Sequence, residues 1–222
     1  GVQTCALPIC ARRDYLTRGR AMVHRRNCVG CHQIETSGGD LVKLMPDPSL
    51  GPPLLTPTGA RVQPDWLYAF LRGPIPIRPW LTLKMPSFGM PDPELNGIIR
   101  YFGAVSNTMG PFRTQQVVRN AATDQVGKAM FGTLKCQQCH VLGAIQKDQP
   151  TANLAPDLRM APDRLQADWI VEWLKNPANI VPGTRMPGFW PEYPKSPYPH
   201  AGGNGEAQIN ALVGYLQGFT GG

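Results

Sequence analysis

The sequence predicts an all-α protein with two similar domains in tandem, each built from a few short helices. Two segments have apolar residues at the i, i+3, i+4 and i+7 spacing of a helix face. They are Leu95, Ile98, Ile99 and Phe102, and then Ile209, Leu212, Val213 and Leu216. Glycine and proline number 24 each, so loops must fill much of the remaining chain. We therefore expect domains at residues 11–105 and 123–222, with a linker at residues 106–122.

The two halves repeat the same landmarks in the same order. Gly19-Arg-Ala-Met22 returns as Gly127-Lys-Ala-Met130, and each glycine would let another helix approach closely. The segment from Asp65 to Pro74 returns as the segment from Asp168 to Pro177, and Tyr101 returns as Tyr215. We expect the first helix at Asp14 to Asn27, and its counterpart beginning near Thr123 or Asp124, which are good N-cap residues. The stretch from Glu35 to Thr58 is rich in glycine and proline and predicts a loop.

The first residues of the chain do not resemble a natural protein segment. Gly1 to Ile9 back-translates to a string similar to a widely used sequencing-library adapter. We interpret residues 1–10 as an assembly scar and expect the natural N-terminus to be missing. The alternative is a real N-terminal segment with a disulfide between Cys5 and Cys10.

The charge of the chain is positive and uneven. The formal net charge is +7, and most of this positive charge lies in the first half of the chain. No aromatic and basic interleaving accompanies it, which argues against a nucleic-acid partner. No run of eighteen apolar residues occurs, so any membrane association would require an anchor upstream of this sequence.

Two cysteine motifs carry the chemistry. They are Cys28-Val-Gly-Cys31-His32 and Cys136-Gln-Gln-Cys139-His140. C-x-x-C-H is the attachment signature of c-type haem, although a single copy could also serve as a redox dithiol or half a zinc site. Two copies, each followed by Met-Pro-x-Phe, favour two covalently attached haems, with His32 and His140 as iron ligands.

The second axial ligand of each haem is expected to be a methionine, because a thioether opposite an imidazole suits a one-electron carrier. Met45, Met85, Met90 and Met186 each precede a proline. Met45 follows His32 too closely, and Met90 has no counterpart in the second half. Met85 and Met186 share Met-Pro-x-Phe and a preceding basic residue, so they are the predicted ligands, with Met90 as the rival of Met85. His24 and His200 are expected to be solvated.

These residues resemble the class I cytochrome c family in its tandem dihaem form, from about Asp14 to Phe219. The resemblance implies two cytochrome c-like domains, each with short helices wrapped around an attached haem. It implies thioether attachment through Cys28, Cys31, Cys136 and Cys139, proximal ligation by His32 and His140, and distal ligation by Met85 and Met186. Pro53 and Pro156 would accept a hydrogen bond from the ligand histidines through their carbonyl groups. Gly127, Phe131 and Tyr215 would form the crossing of the terminal helices, which is expected to be looser in the first domain, where Val23 faces Tyr101.

The resulting functional prediction is an electron carrier rather than an enzyme. It would pass single electrons between respiratory partners in the periplasm or at the outer face of the cytoplasmic membrane. One alternative is the electron-entry module of a larger redox enzyme whose other part lies upstream. A dihaem peroxidase is a weaker alternative, because two Met-Pro-x-Phe copies argue against an open haem position.

A group of arginines precedes the first motif and suggests a docking surface for an acidic redox partner. The group comprises Arg12, Arg13, Arg18, Arg20, Arg25 and Arg26. The second half has no such cluster.

Overall fold

A computed structural model describes residues 7–108, 117, 119–145 and 150–219. The chain is helix-rich with little strand and divides into two compact units. The first unit comprises Gly1–Pro76 and Leu83–Arg113, and the second comprises Ile77–Thr82 and Thr114–Gly222. The change of unit after Arg113 falls inside the stretch expected to be a linker. Ile77–Thr82 groups with the second unit, whereas the sequence repeat assigned it to the first domain, because a repeat aligns landmarks but does not determine how a loop packs.

The described residues of the first unit form six helices and one short hairpin. The helices are α1 (Leu7–Arg25), α2 (Cys28–Cys31), α3 (Asp40–Lys43), α4 (Thr58–Arg61), α5 (Pro64–Arg72) and α6 (Asp92–Val105), with a 3-10 turn at Pro48–Leu50. Strands β1 (Gln33–Ile34) and β2 (Ser37–Gly38) pair antiparallel. Strand β2 and helix α3 lie within the stretch expected to be a loop, where Gly38 and Gly39 take positive φ values of 83° and 77°.

Helix α1 begins earlier than the sequence pattern suggested. The expected start was Asp14, but the helix begins at Leu7. No residue between the first turn and Asp14 interrupts the helical geometry. Ile9 is 71% exposed, so the extra turn buries little at that position. The helix ends at Arg25, and Asn27 then adopts the left-handed conformation with φ of 53°.

The second unit has five helices among its described residues. They are α7 (Ala121–Thr133), α8 (Ala161–Arg164), α9 (Ala167–Lys175), α10 (Pro177–Ile180) and α11 (Gly205–Leu216). Four 3-10 turns lie between them, at Cys136–Gln138, Thr151–Asn153, Leu158–Met160 and His200–Gly203. Helix α7 starts before the predicted N-cap, since Asn120 caps it and Thr123 occupies the third position, where the two residues form a reciprocal capping box.

Each unit is closed by its own first and last long helices, which cross at a glycine. In the first unit, a Cβ atom on Gly19 of α1 would collide with the Tyr101 side chain of α6. In the second, a Cβ atom on Gly127 of α7 would lie 2.6 Å from Tyr215 Cβ of α11. The close approach predicted for these glycines is therefore present in both units.

The aromatic contact beside this crossing differs between the units. Phe131 and Tyr215 pack with ring centroids 5.6 Å apart. In the first unit Val23 and Tyr101 are 2% and 1% exposed, and both line a cavity of about 300 Å³. The Tyr101 hydroxyl donates a hydrogen bond to Glu35 Oε2 at 3.0 Å.

Each unit has its own apolar core, which positions the cysteine motif beside it. In the first, the buried residues include Val23, Ile34, Leu67, Leu95, Ile98 and Phe102, and Cys28 packs against them. In the second they include Met130, Phe131, Ile170, Leu174, Ile209 and Leu212, and Cys136 packs against them. Within the described ranges, none of the helices combines the length and hydrophobicity needed to cross a membrane.

Candidate cofactor sites

The two cysteine motifs begin with the same backbone geometry. Asn27 before Cys28 and Lys135 before Cys136 both take φ of 53°, a left-handed conformation that lysine rarely adopts. Each motif then turns, so that His32 N donates to Cys28 O at 2.8 Å and His140 N donates to Cys136 O at 2.9 Å. The turn brings both cysteines and the histidine of each motif onto one short segment.

The motif histidines form hydrogen bonds with proline carbonyl groups, as the family resemblance implied. His32 Nδ1 lies 2.8 Å from Pro53 O, and His140 Nδ1 lies 2.9 Å from Pro156 O. A carbonyl oxygen only accepts, so Nδ1 must have the proton, and the neutral ring keeps its lone pair on Nε2. Nε2 is therefore the nitrogen available to bind a metal in both units.

Backbone hydrogen bonds hold each proline segment against its motif. Leu55 N donates to Gln33 O at 2.9 Å in the first unit, and Ala155 N donates to Cys139 O at 2.7 Å in the second. These bonds lie within two residues of Pro53 and Pro156. In each unit, a main-chain hydrogen bond therefore helps to position the proline carbonyl group.

The protonation properties of the motif residues suit a neutral, buried attachment site. Burial lowers the pKa of His32 and of His140, since it disfavours the charged imidazolium, although the proline carbonyl hydrogen bond opposes this. Burial also raises the pKa of Cys28, and it raises the pKa of Cys136 to about 11. Redox-active dithiols need a lowered thiol pKa, so this environment argues against that alternative.

The zinc alternative also lacks support. The described part of the chain contains no group of three or more His, Cys, Asp or Glu side chains arranged to hold a metal ion. Structural zinc sites almost always have four protein ligands. A C-x-x-C-H segment without further ligands nearby does not meet that requirement.

The candidate distal methionines occupy matching positions. Met85 and Met186 are both half-buried and pack against the core of their own unit. Met90 differs, because it is 7% exposed and belongs to the buried core itself. Met45 packs beside the Gly51 backbone, where a Cβ atom on that glycine would lie 2.9 Å from its sulfur. The environment of Met85, rather than that of Met90, corresponds to that of Met186.

Comparison with known proteins agrees with the geometry of the second unit. The family model Cytochrome c matches residues 125–220. Residues 125–220 form a cytochrome c domain. One curated relative is Cytochrome c oxidase subunit 2 of Bacillus subtilis (strain 168), which is 28% identical over 101 residues, or 42% of this chain and 25% of that protein. The chain thus spans about a quarter of the length of this relative, and no solved structure matches.

A cytochrome c domain implies covalently bound c-type haem and haem-based electron transfer. The residues around the motifs fit such a group. Arg61 Nε and Trp169 Nε1 are buried without a hydrogen-bond partner among the described residues, and burial lowers the pKa of Arg61 to about 10. Buried donors of this kind need an acceptor, and a buried guanidinium favours an anionic one. The two carboxylate groups of a haem provide acceptors of that chemistry.

A pair of stacked aromatic rings lies on the helix before each candidate methionine. Trp66 and Phe70 of α5 have centroids 4.9 Å apart at 13°, and Trp169 and Trp173 of α9 have centroids 5.1 Å apart at 17°. Trp173 Nε1 also donates a hydrogen bond to Met186 Sδ at 2.8 Å. The sequence repeat matched these two segments, but it did not indicate this contact with the sulfur.

Gln208 is a structural residue that sequence reasoning missed. It is fully buried, and its side-chain oxygen accepts from Trp190 Nε1 at 2.9 Å and Ser196 Oγ at 2.6 Å. Its amide nitrogen donates to Tyr198 O at 2.9 Å and to His200 O at 2.6 Å. These bonds anchor the proline-rich insertion that precedes α11. The only available signal was a glutamine beside the apolar face of that helix.

The two remaining histidines differ in their surroundings. His24 is exposed, as expected. His200 is half-buried, and its Nε2 lies 3.1 Å from Thr133 Oγ1, so its side chain has a protein partner that the sequence did not indicate. The insertion from Trp190 to Gly205 positions His200, and the path of this insertion could not be predicted from the sequence.

The arginines before the first motif are mostly engaged in contacts. Arg18 pairs with Asp14, Arg20 pairs with Glu35, and both Arg25 and Arg26 pair with Glu94, at N–O distances of 2.6 to 2.9 Å. Arg12 Nε donates to Ala104 O at 3.0 Å. Three carboxylates thus offset half of the positive charge of the six arginines. The field around this helix is smaller than the arginine count alone suggested.

Proposed function

We propose that the chain binds two c-type haems and transfers single electrons between respiratory redox partners outside the cytoplasmic membrane. The observation that carries this proposal is the duplicated contact between histidine Nδ1 and a proline carbonyl, at His32 with Pro53 and at His140 with Pro156. Each contact stands beside a complete cysteine pair and leaves Nε2 free to coordinate.

Each of this chain's residues has a defined role in the proposal. The thiols of Cys28, Cys31, Cys136 and Cys139 would form the covalent attachments, Nε2 of His32 and of His140 would bind the iron, and Met85 and Met186 would each supply a thioether ligand. When bound, the haem iron supplies the one-electron couple. The surrounding apolar core excludes water, and two protein ligands leave no position for a substrate, which favours a carrier over a peroxidase.

The number of haems is tested by a pyridine haemochrome assay on the purified full-length chain. We expect two haems per chain, neither of which is extracted by acidic acetone. Replacing Cys28 and Cys31 by serine should reduce the covalent content to one, and replacing Cys136 and Cys139 should do the same. One haem in the unaltered protein would contradict the proposal for the first unit.

A second candidate function is the electron-entry module of a larger redox enzyme. The similarity to Cytochrome c oxidase subunit 2 of Bacillus subtilis favours it. The two candidates differ in what the gene encodes before residue 11, so sequencing that region from the source genome separates them. An upstream domain that belongs to a redox enzyme would support the module, whereas a signal sequence alone would support the carrier. Peroxide turnover by the purified protein would instead favour the peroxidase.

We further propose that the electron partner of the first unit has an acidic docking surface. Arg13 is exposed, and the six arginines retain a net charge of about +3 after their three carboxylate partners are counted, which attracts an anionic surface during encounter. Such a field raises the association rate more than the affinity.

A further inference from the structure

The first unit contains a cavity that has no part in the proposed electron transfer. It has a volume of about 300 Å³ and is lined by residues of α1, α6 and the hairpin. Its apolar wall includes Val23, Ile34 and Tyr101, which are 2%, 1% and 1% exposed. Of the first cysteine motif only Val29 lines it, so the cavity is separate from the residues proposed to hold the haem. Small-molecule sites have volumes of about 300 to 1,000 Å³, and this cavity lies at the lower end of that range.

The sequence repeat explains why the first unit has space at this position. In the second unit, Phe131 packs against Tyr215 with ring centroids 5.6 Å apart. Tyr101 matches Tyr215 in the repeat, but Val23 stands where the second unit has Phe131. The first unit thus lacks one phenyl ring beside its tyrosine. An aromatic ring from another molecule can pack there as Phe131 does, and such ring pairs are stabilised beyond the burial of their apolar area.

The polar side of the cavity offers donors to an anionic group. Arg20 uses Nε and Nη2 to bind Glu35, and its Nη1 makes no hydrogen bond within the described part of the chain. His24 lies one helical turn after Arg20, is exposed and also lines the cavity. Thr36 adds an exposed hydroxyl group. A guanidinium with an available N–H group binds a carboxylate strongly, because the hydrogen bond is charge-assisted.

Glu35 holds this arginine from a backbone conformation that favours glycine. Its φ is 55°, and the matching residue in the second unit is Gly143, with φ of 87°. Strain at a non-glycine residue of this kind persists where surrounding contacts impose it, and it clusters at ligand sites. Here the contacts are two hydrogen bonds from Arg20 and one from the Tyr101 hydroxyl. They fix the guanidinium and the tyrosine together at the wall of the cavity.

The charge around the cavity favours an anion over a cation. Arg20 and Glu35 form a neutral pair, and the other arginines keep α1 positive after their carboxylate partners are counted. A positive field raises the local concentration of small anions. An apolar space beside a tyrosine, bordered by cationic donors, suits a ligand that has both an aromatic ring and a carboxylate.

We propose that this cavity is a binding site for a small aromatic carboxylate of the benzoate class. The ring packs on Tyr101 in the space beside Val23, and the carboxylate binds Arg20 Nη1, with His24 beside it. The site goes beyond the proposed electron transfer and does not depend on the number of haems. It is specific to the first unit, because Phe131 occupies the matching position in the second.

Equilibrium dialysis of radiolabelled benzoate against the haem-loaded full chain, in about 0.15 M salt, tests this site. We expect a dissociation constant of about 1 mM, as befits a ligand with so few atoms. Benzyl alcohol has the ring without the charge, and acetate has the charge without the ring. Each should bind at least about tenfold more weakly, because each lacks one of the two recognised groups.

Two substitutions test the ring contact and the carboxylate contact separately. Val23→Phe adds the ring that the second unit has at this position, so it should abolish benzoate binding and keep or raise the thermal midpoint. Arg20→Gln removes the cationic donor and should weaken binding about tenfold. Arg18→Gln is the matched control, since Arg18 lies on the same helix, pairs with Asp14 and does not line the cavity. It removes the same charge but should change the dissociation constant by less than about twofold, because salt screens exposed charges.

The results that would overturn this inference are distinct from those that bear on the haems. No binding of benzoate to the unaltered chain, or full binding to Val23→Phe, would exclude the cavity as the site. Equal weakening in Arg18→Gln and Arg20→Gln would indicate a diffuse field, and benzyl alcohol binding as tightly as benzoate would exclude the carboxylate as the recognised group. Where Val23→Phe does not fold, the comparison of Arg20→Gln with Arg18→Gln decides. Haem content measured in the same samples keeps a failure of this site distinct from a failure of the proposed function.

Discussion

The hydroxyl group of Tyr101 donates a hydrogen bond to Glu35 Oε2 at 3.0 Å, and Arg20 binds both oxygens of the same carboxylate at 2.8 and 2.7 Å. The hydrogen bonds from Arg20 are the main cause that holds the pKa of Glu35 below its usual value, while burial opposes them. From its position in the hairpin, the carboxylate accepts hydrogen bonds from residues of α1 and α6, and it is only partly exposed to water. Its charge therefore contributes to the stability of the first unit.

This relationship predicts a pH dependence of stability. Because the folded-state pKa of Glu35 is lowered, its contribution is fully present above about pH 4.3, the usual value for glutamate, and is lost as the pH falls through the lowered pKa. Glu35→Gln should cost up to about 1 kcal/mol at pH 7 and should flatten the loss of stability below pH 4.3. Denaturation of the haem-loaded protein between pH 7 and pH 3 measures both effects. Asp40→Asn is the control, since Asp40 belongs to an exposed pair with Lys43 and should change little. Identical pH profiles for Glu35→Gln and the unaltered protein would refute the assignment.

The helix crossing in the second unit predicts a steric effect of a single methyl group. Gly127→Ala would place a Cβ atom 2.6 Å from Tyr215 Cβ, and overpacking of this kind costs about 1 to 3 kcal/mol. The thermal midpoint of the second unit should fall by several degrees, which calorimetry can measure. Gly132→Ala lies on the same helix with open space around its Cβ position, and it should stabilise by about 0.4 to 1 kcal/mol. A midpoint that falls equally in both variants would show that the crossing is not the cause.

The proposed methionine ligation predicts a spectroscopic result. Met85→Ala and Met186→Ala should each abolish about half of the sulfur-to-iron charge-transfer absorption of the ferric protein, because each site supplies one thioether. Met90→Ala should keep the full absorption and lower stability instead, since Met90 is 7% exposed and belongs to the core. If Met90→Ala removes the absorption and Met85→Ala does not, then Met90 is the ligand in the first unit.

The arginines of α1 predict a dependence of electron exchange on ionic strength. Electron exchange between the first site and an acidic redox protein should slow steeply between low salt and about 0.15 M, where the Debye length falls to about 8 Å. Stopped-flow kinetics on variants that each keep one cysteine pair can measure the rate at each site. Exchange at the second site provides the internal control and should respond less. The same salt dependence at both sites would contradict the proposal of a docking surface on the first unit.

Local sequence patterns predicted the features that depend on neighbouring residues. The apolar spacing around Leu95 and Ile209 identified the last long helix of each unit, because helical periodicity is a local property. The C-x-x-C-H motifs likewise brought the cysteines and histidines together within single turns. The glycine of each first helix also indicated a close crossing, since its position repeats with that of the tyrosine it meets.

Features that depend on tertiary contacts could not be predicted in the same way. The hydrogen bond from Trp173 to Met186 joins a helix to a loop thirteen positions later, and its geometry depends on how that loop packs. The pairing of Arg25 and Arg26 with Glu94 joins two helices across 68 and 69 positions, so the arginines appeared free in the sequence. The N-cap at Asn120 was missed for a local reason, because Thr123 is an equally good capping residue and only the structure shows which of the two begins the helix.

The four hydrogen bonds of Gln208 have a consequence for protein engineering. Its oxygen and its amide group are both fully used, and two of its four partners are main-chain carbonyl groups of the insertion. The path of this segment is therefore dictated largely by its backbone, while residues such as Pro197 and Pro199 lie exposed on its outer side. Such a segment can accept foreign peptide sequence at its exposed positions while its two ends stay anchored, which makes it a graft site for an epitope, a dye or an electrode linker.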